Sequence, residues 1–145
     1  MKNIINNLSR AVVINDGKIL LAKSIESGFY FLPGGHVEYN EAVKNCLTRE
    51  FMEETGIANI SVGDLITIYE QSFNADDAPY HEINYIFSTK LHHDDLDVVS
   101  NEKHLAYEWI DLNDISNINL VPNIFKKIIN DYSAGKTINN FYSDM

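Results

Sequence analysis

The segment REFMEETG, Arg49 to Gly56, places Glu50, Glu53 and Glu54 within five residues in a chain whose formal net charge is already -10. Like charges on adjacent helical turns repel, and an i,i+4 pair is destabilising. Any fold for this chain must therefore put these carboxylates where something offsets them. The pattern around them predicts a helix over 41–55. Asn40 serves as N-cap, Glu41 suits a first turn where the helix dipole favours negative charge, and Gly56 sits where a left-handed C-terminal residue is wanted. At about 100° per residue, Glu50 and Glu54 fall within about 40° of each other, and Glu53 about 60° to the other side of Glu50. Val43, Cys46 and Leu47 share that sector. The acidic ridge thus lies on the face that meets the core, whereas a solvated acidic face would lie opposite the apolar stripe.

Partly buried carboxylates need a partner or take up protons. Arg49 supplies one positive charge, with Glu53 as its i,i+4 partner, which leaves Glu50 and Glu54 without a local cation. A hard divalent ion fills that gap. Magnesium suits oxygen ligands, and it typically takes one or two carboxylates while keeping waters and phosphate oxygens. The competing arrangement is an exposed glutamate-rich helix held by local pairing, since glutamate is a good helix former.

Along the rest of the chain, RAVVIN (10–15) and KILLAK (18–23) are apolar runs separated by Asp16 and Gly17, a hairpin signal because both residues tolerate positive φ. FYFLPGG, from Phe29, reads as a short aromatic strand that ends at Pro33 and opens into a Gly-Gly turn. Strands are predicted over 60–73, 81–91 and 107–112, with a loop at 74–79 and a stop at Asp94 and Asp95. Ile124, Phe125, Ile128, Ile129 and Tyr132 recur at helical spacing, which predicts a second helix over 120–135. Strands, a helix, strands and a helix in that order suggest a mixed sheet between helices, in one domain spanning 1–145.

Composition narrows the function. The acidic balance argues against a surface built for nucleic acid or anionic membrane, either of which needs a basic patch. An anionic small molecule remains open if a cation mediates. The single cysteine, Cys46, rules out an intramolecular disulfide and a thiolate zinc site, and suggests a reducing, cytoplasmic setting. No stretch approaches the length of a membrane span.

From Gly35 the chain reads GHVEYNEAVKNCLTREFMEETGI, which resembles the Nudix box of the Nudix hydrolase (MutT-like) family. Gly35, Glu41, Arg49, Glu50, Glu53, Glu54, Gly56 and Ile57 match in register; Phe51 stands where Ile, Leu or Val is usual, and Asn40 where many members have glycine. The late stretch YEWIDLNDI resembles the family's Trp-bearing strand and helical turn. The resemblance implies an α/β/α sandwich around a central mixed β-sheet. It also implies hydrolysis, with Mg2+ or alternatively Mn2+, of the pyrophosphate bond in a nucleoside diphosphate linked to a moiety X, releasing a nucleoside monophosphate. A small nucleotide is then the partner, and a homodimer is possible. Glu50, Glu54 and Glu53 are the implied metal ligands, completed by the Gly35 carbonyl. Arg49 orients Glu53 or Glu50, and Glu41 ties down the glycine loop. The general base is a box glutamate such as Glu53 or a distant one, for which Glu102 has the matching position ahead of Trp109 and Glu82 is a second candidate. Sensors of the same fold that bind without cleaving usually lack box glutamates, and this chain keeps them.

Further candidates follow from position. Arg10 opens the first predicted strand and could reach a phosphate, Tyr30 could stack on a base, and Glu82 shares a strand face with Asn84 and Ile86 that could line a cleft. Lys23 and His36 read as solvated polar groups, Cys46 as a small core residue, and His81, His92, His93 and His104 show no metal-ligand spacing. The cluster Asp94, Asp95 and Asp97 reads as a solvated turn.

Overall fold

A computed structural model describes residues 3–92 and 97–145. The readings made for His93, Asp94 and Asp95 lie outside the described residues. The elements in chain order are β1 (Ile5–Val12), β2 (Ile14–Asn15), β3 (Lys18–Ser24), β4 (Tyr30–Phe31), β5 (Gly34–His36), α1 (Val43–Thr55), β6 (Ile60–Ala75), β7 (Ala78–Leu91), β8 (Leu105–Asp111), a 3-10 turn (Leu112–Asn117), α2 (Ile124–Ser133) and β9 (Phe141–Asp144). One sheet runs β5-β1-β7-β6-β9; it is mixed, because β1 pairs parallel with β7 and β6 parallel with β9. In the second sheet β8 pairs antiparallel along β3, whose two ends also take β2 and β4.

Alternation along the strands divides the core in two. Val12, Ile19, Leu21 and Ile86 join Ile115, Phe125, Ile128 and Ile129 under α2 and the 3-10 turn. Their neighbours Ala11, Val13, Leu20 and Phe87 join Leu47 and Phe51 under α1. The central strands are therefore buried on both faces, which is the α/β/α arrangement expected from the sequence. Burying Leu47 and Phe51 is worth about 1.5–3 kcal/mol each. A like-charged i,i+4 pair costs only roughly 0.2–0.5 kcal/mol, so α1 forms despite its glutamates.

Several boundaries differ from the sequence reading, each for a local reason. The Asp16–Gly17 hairpin forms with both residues at positive φ (52° and 74°). The predicted Gly-Gly turn is instead strand β5, paired antiparallel with β1 from Leu8↔His36 to Arg10↔Gly34. Glycine is needed there for close approach: a Cβ on Gly34 would lie 1.9 Å from the Ser9 carbonyl oxygen, and one on Gly35 would lie 2.4 Å from the Glu50 carboxyl. Helix α1 starts at Val43, with Ala42 as an N-cap that makes no side-chain bond. Asn40 is not the cap; it takes φ 63°, the left-handed conformation that favours glycine or asparagine. The loop predicted at 74–79 shrinks to the turn residues Asp76 and Asp77, at φ 50° and 58°. Helix α2 begins only at Ile124, because Leu120 bridges to Tyr30 and Pro122 disfavours helix at the residue before it. No helix among the described residues is long and apolar enough to cross a membrane.

Candidate active site

Arg49 is the hub of the acidic helix. Its Nε and Nη2 donate to the two oxygens of Glu41 at 2.6 and 3.0 Å, and Nη1 donates to Glu50 and to Glu53, both at 3.1 Å. Nη2 also donates to the His36 carbonyl at 2.9 Å, which fastens the helix to the end of β5. The Glu41 carboxylate accepts in turn from the Glu38 amide. Glu41 thus ties down the glycine-rich segment from outside the helix, preceding it rather than occupying its first turn. The bidentate bond from Arg49 holds the Glu41 pKa down at about 2, and the same bond raises that of Arg49. One guanidinium therefore offsets four carboxylates, the fourth being Glu38 at 3.7 Å. This corrects the sequence reading that left Glu50 without a local cation; among the box glutamates only Glu54 makes no bond to Arg49.

Glu54 is stabilised from the opposite side. The Tyr107 hydroxyl, presented by β8, donates to Glu54 Oε2 in a short hydrogen bond. Burial is the main reason the Glu54 pKa rises to about 7; the neighbouring Glu50 carboxylate pushes it further up, and the Tyr107 bond opposes the rise. Burial and the bond to Glu54 raise the pKa of Tyr107 as well. Sequence reasoning missed Tyr107. Its only trace was an aromatic residue two positions ahead of Trp109, and contact with Glu54 depends on β8 pairing with β3. The last turn of α1 is held by the loop before β8. The Asn101 amide donates to the Glu54 carbonyl at 2.6 Å, and Glu102, next in sequence, has an exposed side chain close enough to add to the negative field on Tyr107.

Among the described residues no three His, Cys, Asp or Glu side chains converge as a ready-made metal site. Two carboxylates do meet, however: Glu50, whose side chain is 14% exposed, and Glu54. Glu50 stands directly over Gly35, where a Cβ would displace it. Opposite Gly35 in register, Ser9 keeps a buried hydroxyl without a partner among the described residues. Two carboxylates beside a backbone carbonyl are the kind of oxygen donors that suit a divalent cation retaining part of its hydration. Glu53 is held differently, 57% exposed and drawn outward by Arg49.

Arg10 links this centre to a cleft. It donates to the Leu32 carbonyl at 3.1 Å and to Asn84 Oδ1 at 3.4 Å. Burial lowers its pKa, against the pull of Glu82, Glu54 and Glu50, so it lies in the field of both acidic groups. The cleft, of about 420 Å³, is lined by Arg10, Phe31, Gln71, Phe73, Glu82 and Pro122 among others. Its size is in the range that takes a small ligand. A larger hollow of about 500 Å³ near Ile4, Tyr80 and His81 is not lined by Arg10, and neither hollow is lined by a carboxylate of α1.

The structure therefore brings Arg10 and Glu82 to the cleft and leaves Tyr30 out. Tyr30 donates to Glu108 at 2.5 Å, with the Lys23 ammonium 5.2 Å from its ring. Phe31, of opposite strand parity, takes the lining position. Cys46 is buried, as read, with Sγ directed at the Gly35 and His36 carbonyls, and burial raises its pKa to about 11.

Comparisons with known proteins agree with this fold. The family profile described as NUDIX domain matches residues 6–132. An ADP-ribose pyrophosphatase of Methanocaldococcus jannaschii is 31% identical over 128 residues, 86% of this chain and 71% of that protein. A CTP pyrophosphohydrolase of Escherichia coli is 37% identical over 65 residues, 42% of this chain and 47% of that protein. The solved structure of a NUDIX hydrolase from Nitrosomonas europaea superposes with a TM-score of 0.73 at 26% identity, covering 92% of both chains.

Proposed function

The chain belongs to the Nudix hydrolase family, and from that premise we propose that it hydrolyses, with Mg2+, the pyrophosphate bond of a nucleoside diphosphate linked to a further group, with a mononucleotide or a nucleotide sugar as substrate. The observation that carries this reading is the half-buried Glu50 and Glu54 pair over Gly35, joined through Arg10 to a cleft of nucleotide size. The two relatives described above act, by their names, on ADP-ribose and on CTP. Membership alone therefore leaves the group beyond the pyrophosphate open.

Glu50, Glu54 and the Gly35 carbonyl would hold the cation, with Glu53 close by. When bound, such an ion neutralises pyrophosphate oxygens and makes a water more acidic. The chain's own residues supply positioning and charge. Arg49 fixes the rotamers of Glu50 and Glu53 and anchors them to β5. Tyr107 fixes Glu54. Arg10 keeps donors free for a phosphate, since two hydrogen bonds use only part of its five N–H groups. Glu53 suits the base, because Arg49 holds one of its oxygens while the side chain stays open to water. Glu102 is the second candidate, on the loop docked against the end of α1. Water adds to one phosphorus as the bridging P–O bond breaks, its proton passes to the carboxylate, and the leaving phosphate keeps the bridging oxygen.

The test is a panel of nucleoside triphosphates, nucleoside diphosphate sugars and dinucleotides with and without Mg2+, followed by product analysis. Metal-dependent release of a nucleoside monophosphate supports the reading. Tight binding without turnover of any compound would instead identify a sensor.

A further inference from the structure

Gln71 and Glu82 face each other directly in the β6–β7 register, and Gln71 Nε2 donates to Glu82 Oε1 at 3.0 Å. The Tyr69 hydroxyl, 3.3 Å from the amide's Oε1, gives its one proton to Asp144 of β9 at 2.6 Å, so the contact with Glu82 alone sets the amide. Reversing the amide would turn its oxygen on the carboxylate, so this orientation is the one an ionised Glu82 selects. The Gln71 bond is the only hydrogen bond to the Glu82 carboxylate among the described residues. Glu82 therefore lines the cleft as a carboxylate bonded to a neutral amide and lying in the field of Arg10, with Oε2 and one lone pair of Oε1 making no hydrogen bond among the described residues. A carboxylate with two neighbouring acceptors pairs best with two neighbouring donors, as in bidentate contacts. The apolar part of the lining, Phe31, Phe73, Val121 and Pro122, suits a flat ring better than a sugar.

We infer that Glu82, steadied by Gln71, selects a nucleobase edge in which a ring N–H stands beside an exocyclic amino group, the donor pair of guanine. The inference rests on the hydrolase reading, since it assigns the base of that substrate to this cleft. Adenine sets a ring acceptor beside its amino group and so points a lone pair at the carboxylate. Hypoxanthine and uracil offer a single N–H donor there. A site built to accept hydrogen bonds discriminates against partners that lack them, because its own acceptors are then left unpaired. The role is selection of substrate, not chemistry, so its signature belongs in KM.

The test compares kcat/KM for guanosine, inosine and adenosine 5′-triphosphates and the corresponding diphosphate sugars, with Mg2+, in the wild type and in Glu82→Gln. The wild type is expected to prefer guanosine over inosine substrates by about 10- to 100-fold, the range of one good bidentate base contact. Glu82→Gln should reduce the preference to within a few-fold, mostly through KM, while the thermal midpoint confirms folding. Gln71→Leu should weaken the preference in the same direction. Equal kcat/KM for guanosine and inosine substrates, or a preference that survives Glu82→Gln, overturns the inference. A 3′-deoxyguanosine arm separates the ribose: if removing that hydroxyl rather than the amino group abolishes the preference, the carboxylate reads the sugar and the inference fails. Turnover without base preference leaves the hydrolase reading standing, whereas no metal-dependent turnover of any compound removes both.

Discussion

The acidic helix and the cleft beside it, where one cation and one carboxylate meet, are two charged regions built in opposite ways. In and just before α1 the charged groups come from one short segment, and a single cation, Arg49, bonds Glu41, Glu50 and Glu53 within 3.1 Å. In the cleft, Arg10, Gln71 and Glu82 come from three different strands and are brought together only by sheet register. On the proposed function the difference would separate chemistry from selection: a locally wired cluster would treat every pyrophosphate alike, while a surface assembled from distant strands could change its ligand without disturbing the cluster.

Substitutions can break that division. Replacing Glu50 or Glu54 by Gln should lower metal-dependent turnover by roughly 10²–10⁴-fold for every nucleotide, since several kcal/mol of charge stabilisation is lost at about 1.36 kcal/mol per decade. Steady-state assays over the panel measure it, and a loss confined to one substrate would merge the two regions. Arg49→Lys should cost about 10- to 100-fold in kcat, because a point charge cannot make the paired bonds to Glu41 while also reaching Glu50 and Glu53. Tyr107→Phe leaves the ring in place and removes one bond to Glu54. A loss near tenfold in turnover and weaker metal affinity is expected, with far-UV circular dichroism unchanged. Phe73→Ala belongs to the other region: it should raise KM several-fold with kcat near wild type, the size expected for losing one aromatic contact.

The smallest effect concerns stability and touches only the helix. In the metal-free protein Glu54 titrates near 7, above an unfolded glutamate. A folded-state pKa raised in this way favours the protonated form. The favourable contribution is complete below about pH 4.5 and is lost as pH rises through about 7. Discounted for partial exposure, it is on the order of 1 kcal/mol, or a few degrees in thermal midpoint. Melting curves between pH 5 and 8 should show this slope in the wild type and a flatter one in Glu54→Gln. An identical slope in both would place the titrating group elsewhere.

The same contrast explains what was legible in the sequence. The 3.6-residue period put Glu50 and Glu54 on the face of Cys46 and Leu47, and that face is the buried one. The resemblance to the Nudix box assigned Gly35, and the reason for glycine there, clearance for the Glu50 carboxyl, emerged only from the packing. Glu82 was readable because strand parity is local. Tyr107, Gln71 and Phe31 were not, because each acts through a partner at least 11 residues away in the chain or through a choice between two parities. Strand β9 escaped for a related reason: its four residues are mostly exposed, and its pairing with β6 fixes it only once the sheet exists.

The central claim is that a divalent ion completes the half-buried pair of Glu50 and Glu54. The direct test is to titrate Mn2+ into metal-free protein and count bound ions by electron paramagnetic resonance, with Mg2+ as competitor. Wild type and Glu82→Gln are predicted to bind Mn2+ and release it to Mg2+, and the folded double variant Glu50→Gln/Glu54→Gln is predicted to lose that binding. Undiminished binding in the double variant would contradict the account.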